Sequence, residues 1–228
     1  MPIVLSPVVD TSSTIAFDAM GDYLSAFLPG CPTPTISRTA KKIVTDLCQR
    51  GKVWQEDLPP QTLVVNQLNY APLSPFAYAV CTDVTDVYTV VDGQKRDLTL
   101  EKYSAVKRYF PNWPDNEPGG AQYYTSRTVG EILLAPVPDV AGTLYMRGYL
   151  RPAEDATVWD ADLYAEFSRV VFHGVLHELM FMPNRSWSNE KQAIVHGKQW
   201  TYMLSSARIR ATKAYGVEDT AVEMRPFA

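Results

Sequence analysis

With 228 residues, 46% of them hydrophobic and 20% charged, the chain can bury one large core or two small ones, which excludes wholesale disorder. Its formal net charge of −4 excludes a globally basic surface for nucleic-acid phosphates. The cysteines, Cys31, Cys48 and Cys81, are odd in number and match no zinc or redox spacing, so they read as reduced thiols.

Residues 1–13 read as an extended arm, because Pro2, Pro7 and a Thr/Ser cluster leave little for a helix. The arm has no basic start and only a short apolar run, so it does not read as a signal peptide. No stretch reaches the roughly 18 apolar residues of a membrane span. Phe17, Met20, Leu24, Phe27 and Leu28 then recur at helical spacing until Pro29-Gly30. A second helix opens at Thr33, expected as its cap, with Pro34 in the first turn. Ile36, Ala40, Ile43, Val44, Leu47 and Cys48 form its apolar stripe, and Gly51 is expected as its left-handed stop.

From about residue 53 to 150 the texture changes to Val, Tyr, Thr and Pro, which favours short strands. Candidate strands are 62–65, 87–91, 122–127, 131–135 and 143–150. Asp92-Gly93 is a strong hairpin-turn pair. A short helix is expected from a Thr99 cap through Leu100, Tyr103, Val106 and Phe110 to Pro111. After Pro152 helical spacing returns. Asp160 or Asp162 starts an apolar helix running to about Met182, broad enough in its apolar surface to be covered on several sides. Ser188 is expected to cap a last helix to about Ala214, whose seam of Ala193, Gly197, Trp200, Leu204, Ala207 and Ala211 lets another helix approach closely. Lys198, Thr201, Ser205, Arg208 and Thr212 line its polar side.

The layout predicts an α+β protein. Residues 14–52 and 152–216 form a helical bundle, residues 53–151 an inserted β-rich subdomain, and residues 217–228 an extended C-terminal tail. The tail has no periodicity and carries Met224, Arg225, Pro226 and Phe227. A cation, a rigid bend and an apolar anchor make these the candidate partner-binding residues.

Chemistry-bearing patterns are sparse. His173 and His177, one helical turn apart and followed by Glu178, could share a metal ion, but the order is not that of a metalloprotease helix. Glu166 and Arg169 lie on the same stripe and are expected to satisfy His173, so no metal is predicted. No nucleophile-elbow or phosphate-loop motif is present, so no catalytic or cofactor-binding residue is assigned and no cofactor is expected. Arg185, Lys191, Lys198, Arg208, Arg210 and Lys213 give the last helix a basic bias. Without a DNA-reading motif, they read as a solvated face or a subunit contact. A DNA-binding accessory protein and a metal-dependent enzyme built on the His173/His177 helix stand as the alternatives.

One longer run of features carries a family resemblance. A helix ending in Cys48 leads to Val53-Trp54-Gln55-Glu56-Asp57-Leu58 and the hairpin Val87 to Gly93. A short helix closes in Tyr109-Phe110-Pro111-Asn112-Trp113. Gly120-Ala121-Gln122-Tyr123-Tyr124 follows, then a strand ending Leu134-Ala135-Pro136-Val137-Pro138-Asp139, then Leu144 to Leu150 with Arg151-Pro152. The apolar helix and Met182-Pro183-Asn184-Arg185-Ser186-Trp187-Ser188 complete it. Over residues 15–213 this order resembles the phage head-to-tail adaptor family, the portal adaptors also called tail tubular protein A. The resemblance implies a non-enzymatic virion protein, a homo-oligomer in a twelve-fold ring beneath the portal protein. It would meet a tail nozzle or other tail proteins and let double-stranded DNA pass without sequence readout. Its place would be the head–tail junction of the virion, after assembly in the host cytoplasm, with no membrane contact. Family members grip the portal with their termini, commonly the C-terminal arm.

Overall fold

The computed structural model describes residues 14–214, apart from residues 114, 116, 117 and 129. In chain order the described strands begin with β1 (Thr14–Ala16), β2 (Gln55–Asp57), β3 (Gln61–Leu63), β4 (Asn69–Tyr70), β5 (Ala79–Val91) and β6 (Gln94–Leu100). They continue with β7 (Pro118–Gly119), β8 (Tyr123–Thr125), β9 (Ile132–Ala135), β10 (Val137–Pro138), β11 (Gly142–Pro152) and β12 (Val158–Asp160). The helices are α1 (Asp18–Ser25), α2 (Thr33–Gly51), α3 (Tyr103–Tyr109), α4 (Ala161–Met180) and α5 (Glu190–Ala214). The protein is therefore α+β.

The main sheet is ordered β2-β11-β5-β6-β8-β9-β4, with β3 also paired to β11. Only the β6–β8 pair in it is parallel. Its centre is the long antiparallel pair β5 and β11; β11 follows its expected strand closely, while β5 begins eight residues before its own. Asp92 and Gly93 both adopt positive φ, 50° and 75°, the backbone a two-residue hairpin turn requires, and β5 turns directly into β6 there. β6 was not expected: Thr99 lies in this strand, paired with Tyr123, and does not cap α3, which begins after Lys102.

Helix ends follow local chemistry, with three corrections. Gly51 stays helical, and Lys52 takes the left-handed position at φ 51°. Thr33 makes no capping bond, and Pro32 holds the cap position of α2. Ser188 does not cap α5: its hydroxyl donates to the Met182 carbonyl and accepts from the Arg185 amide, tying the turn together. Asn189 Oδ1 instead accepts from the Gln192 amide at 3.1 Å. As expected, Asp160 caps α4, its Oδ1 accepting from the amides of Asp162 and Leu163 at 2.9 and 3.0 Å.

α4 packs on α5 and on α2, and α2 also touches α5 and β11. Leu24, Ile36, Val44, Val171, Val175, Leu176 and Leu179 are fully enclosed and share one continuous core with Leu144 and Leu150 of the sheet. A smaller core sits beside α3, where Val106 meets Trp113, Leu133, Ala135 and Val137. Trp113 Nε1 donates to the Leu134 carbonyl at 3.0 Å, so its indole is buried without an orphan donor. The α4–α5 crossing is close because glycines face large rings. A Cβ on Gly174 would lie 2.6 Å from Ile43 Cγ2 and 2.9 Å from Trp200 Cε3, and one on Gly197 2.7 Å from His177 Nδ1.

Candidate interaction surface

The seam predicted for α5 is buried: Ala193, Trp200, Leu204, Ala207 and Ala211 face the core. A second apolar line on the same helix does not. Val195, Tyr202 and Ile209 are 53%, 74% and 57% exposed and lie seven residues apart, with Ile194 beside them. Seven residues are close to two helical turns, so these side chains form one stripe along the outside of α5. Lys191, Lys198, Arg208 and Lys213 flank it, exposed and without an ion pair among the described residues. Arg210 is held by Glu166, Nη1 to Oε1 at 3.3 Å. An exposed apolar line with a cationic border is a surface that water solvates poorly and a partner can cover.

A second exposed apolar area lies between α1 and α4. Tyr23, Phe27 and Phe172 meet edge-on or tilted at centroid distances of 5.2 to 5.9 Å. They wall a groove of about 600 Å³ that also touches Met20, Tyr164 and Arg169.

The histidines meet across α4 and α5. His173 Nδ1 lies 2.9 Å from His196 Nδ1, so one ring donates and the other, necessarily neutral, accepts. His177 Nδ1 pairs with the Ala193 carbonyl at 2.9 Å. Glu166 and Arg169 were expected to satisfy His173. Glu166 is drawn to Arg210 instead, and His196 from the next helix takes the imidazole. Burial pushes the His173 pKa below its ordinary value, with the nearby His196 and Arg169 adding to the shift. His196 shifts the same way, by burial and then by His177. Glu178, the remaining acid of this constellation, holds Lys42 Nζ at 2.5 Å. Among the described residues no group of three or more His, Cys, Asp or Glu is arranged to hold a metal ion.

The thiols are poor nucleophiles as placed. Burial raises the Cys48 pKa to about 12 and that of Cys81 to about 11, and it raises Cys31 as well. The predicted tail residues Met224, Arg225, Pro226 and Phe227 lie outside the described residues.

Periodicity in the sequence located the buried seam of α5 but not its exposed stripe. Val195, Tyr202 and Ile209 are the residue types of a core, and only their seven-residue spacing, out of phase with the seam, marks them. The His173–His196 pair joins residues on different helices, which no periodicity within one helix reports.

No family model matches the chain, and no curated protein is similar enough in sequence to count as a relative.

Proposed function

We propose that the chain is a structural subunit of a ring that joins a phage capsid portal to the tail, with DNA passing through the centre and no catalytic role. The observation that carries this reading is the exposed Val195–Tyr202–Ile209 stripe on α5, a surface built to be covered. The order of elements from the Val53-Trp54 segment to the Met182-Pro183-Asn184 turn supports it through the family resemblance. In this reading the N- and C-terminal helices are a bundle that frames the ring, and the β-rich region is its insert. The partners are other copies of the chain, the portal protein and tail proteins. The site of action is the head–tail junction of the virion.

Lys191, Lys198, Arg208 and Lys213, none of them ion-paired among the described residues, favour a second reading as a DNA-binding accessory protein. The two readings separate on salt and on partner. A channel lining lets a duplex slide, so DNA binding is expected to be weak and without sequence preference. An accessory protein binds as an isolated chain, with an affinity that falls steeply with salt.

The test mixes the full chain with purified portal rings and reads mass and symmetry by native mass spectrometry and electron microscopy. The expected product is a ring of twelve subunits seated on the portal. A Tyr202→Ser/Ile209→Ser variant should keep its circular dichroism and fail to form that ring. A chain that stays monomeric beside the portal, or binds DNA tightly and sequence-selectively at physiological salt, overturns the reading.

A further inference from the structure

Two exposed apolar areas of the chain are opposite in shape and in charge. The α5 stripe is convex. Val195, Tyr202 and Ile209 stand out from the helix, and Tyr202, at 74%, is the most exposed large apolar side chain among the described residues. The α1–α4 area is concave, a groove of about 600 Å³ between Tyr23 and Phe27 on one side and Tyr164 and Phe172 on the other.

Charge divides the same way. With the Glu166–Arg210 pair set aside, α5 carries Lys191, Lys198, Arg208 and Lys213 against the single carboxylate of Glu190. The stretches that build the groove, residues 17–30 and 158–173, carry Asp18, Asp22, Asp160 and Asp162 against the single cation Arg169. None of these four carboxylates is in an ion pair among the described residues. Asp18 accepts from the Ser37 hydroxyl at 2.6 Å, and Asp160 caps α4, so both keep their charge.

A chain cannot fill its own groove with its own stripe. The buried seam of α5 packs on α4, and Val195, Tyr202 and Ile209 each follow a seam residue, Ala193, Trp200 and Ala207, by two positions. Two positions turn a side chain about 200° round the helix, away from the seam. Nor do like faces suit each other. Two stripes laid antiparallel about Tyr202 would bring Lys191 of one copy against Lys213 of the other, and laid parallel they would set each lysine against its own counterpart. Two grooves laid face to face leave their hollows unfilled.

We infer that α5 of one copy seats in the α1–α4 groove of the next, with Tyr202 between the rings of Tyr23, Phe27 and Phe172. Along α4 the groove runs from Tyr164 to His173, about 14 Å of helix. Val195 and Ile209 lie about 10 Å to either side of Tyr202, so they meet the two mouths of the groove. The lysines beside them face the carboxylates of α1 and of the start of α4. An apolar helix face lying in a hydrophobic groove is a common docking mode. The contact is heterologous: each copy offers one stripe and one groove, so copies add head to tail until the rotation closes a ring. The inference rests on the ring-subunit reading for its second copy, and it names the two faces that meet.

The test puts the photo-crosslinking residue p-benzoylphenylalanine in place of Tyr202. This chain is mixed as a minor fraction into wild-type copies labelled with heavy nitrogen, alone and with purified portal rings. Mass spectrometry of the adducts separates links between copies from links within one. The expected adducts join copies and fall on residues 20–27 and 164–173. A second protein, Tyr23→Ser/Phe27→Ser, changes two side chains that are each more than two-fifths exposed, and it should keep its circular dichroism. Its assembly midpoint should rise about tenfold in concentration by analytical ultracentrifugation. Adducts on α5 of a second copy, on the sheet or on the portal overturn the inference. So does a folded Tyr23→Ser/Phe27→Ser chain that assembles like wild type. In each of these cases a ring that still forms leaves the connector reading standing. A wild-type chain that stays monomeric alone and with portal rings overturns both.

Discussion

Two contacts show how single residues set the helix pairing and its response to pH. Gly174 lets α4 approach α2 and α5 closely, because a methyl there would overlap Ile43 and Trp200. Gly174→Ala gains roughly 1 kcal/mol of helix propensity, but overpacking a filled core costs about 1–3 kcal/mol. The expected outcome is a net loss of up to about 2 kcal/mol in urea denaturation. Gly197→Ala should also cost stability, since a Cβ there would press on the His177 ring and disturb its bond to the Ala193 carbonyl. The His173–His196 bond makes a second prediction. Both rings titrate below their ordinary value, so the folded state binds fewer protons than the unfolded chain. Their contribution is whole above about pH 6.5, the unfolded value, and is lost as pH falls through the folded values. When both rings are protonated, both are donors and the bond fails. Urea midpoints at about pH 7.5 and about pH 5 should differ less for His196→Asn than for the wild-type chain.

At the scale of elements, the join between β12 and α4 concentrates both a cap and a charge. Asp160→Ala removes the acceptor for two amides and should cost about 1 kcal/mol. Asp160 also lies near Glu56, whose pKa is raised first by burial and then by the charges of Asp160 and Asp57. Asp160→Asn keeps the cap and removes the repulsion. It should be at least as stable as wild type at neutral pH, and thermal melting of the pair of variants checks both halves. The elements that were legible in the sequence are those whose signal is local. α2, α4 and the β5–β6 turn follow from an apolar period, a capping Asp and an Asp-Gly pair. β6 was not legible, because Gln94-Lys95-Arg96-Asp97 offers no apolar alternation, and it is a strand because β5 and β8 pair with it. β1 and β12 are short segments far apart in the chain, and neither carries a pattern of its own. The surface stripe of α5 failed for a different reason. Hydrophobicity alone places Val, Tyr and Ile inside, and only packing distinguishes a core face from a docking face.

At the scale of the whole molecule, deletion of residues 217–228 tests the tail that carries Met224, Arg225, Pro226 and Phe227. In the connector reading, the shortened chain should fold normally and bind portal rings more weakly. Burying one such apolar anchor contributes on the order of 1.5–3 kcal/mol, repeated around the ring. Equal binding by the shortened chain would move the grip to the helices, and a co-sedimentation assay with portal rings decides it. The placement of the chain ends has a consequence of another kind. Thr14 sits opposite Asp160 at the start of α4, while Arg210 near the end of α5 reaches Glu166 in the second turn of the same helix. The two ends of the described chain therefore converge on one end of α4, and the β5–β6 hairpin turn lies elsewhere, exposed at Asp92-Gly93. Residues 14–214, the described part, nearly close into a circle whose opening could be moved. A circular permutant that starts at Gly93, ends at Asp92 and joins the original termini through a short Gly/Ser linker should reach the same native fold, with a circular dichroism spectrum matching the parent.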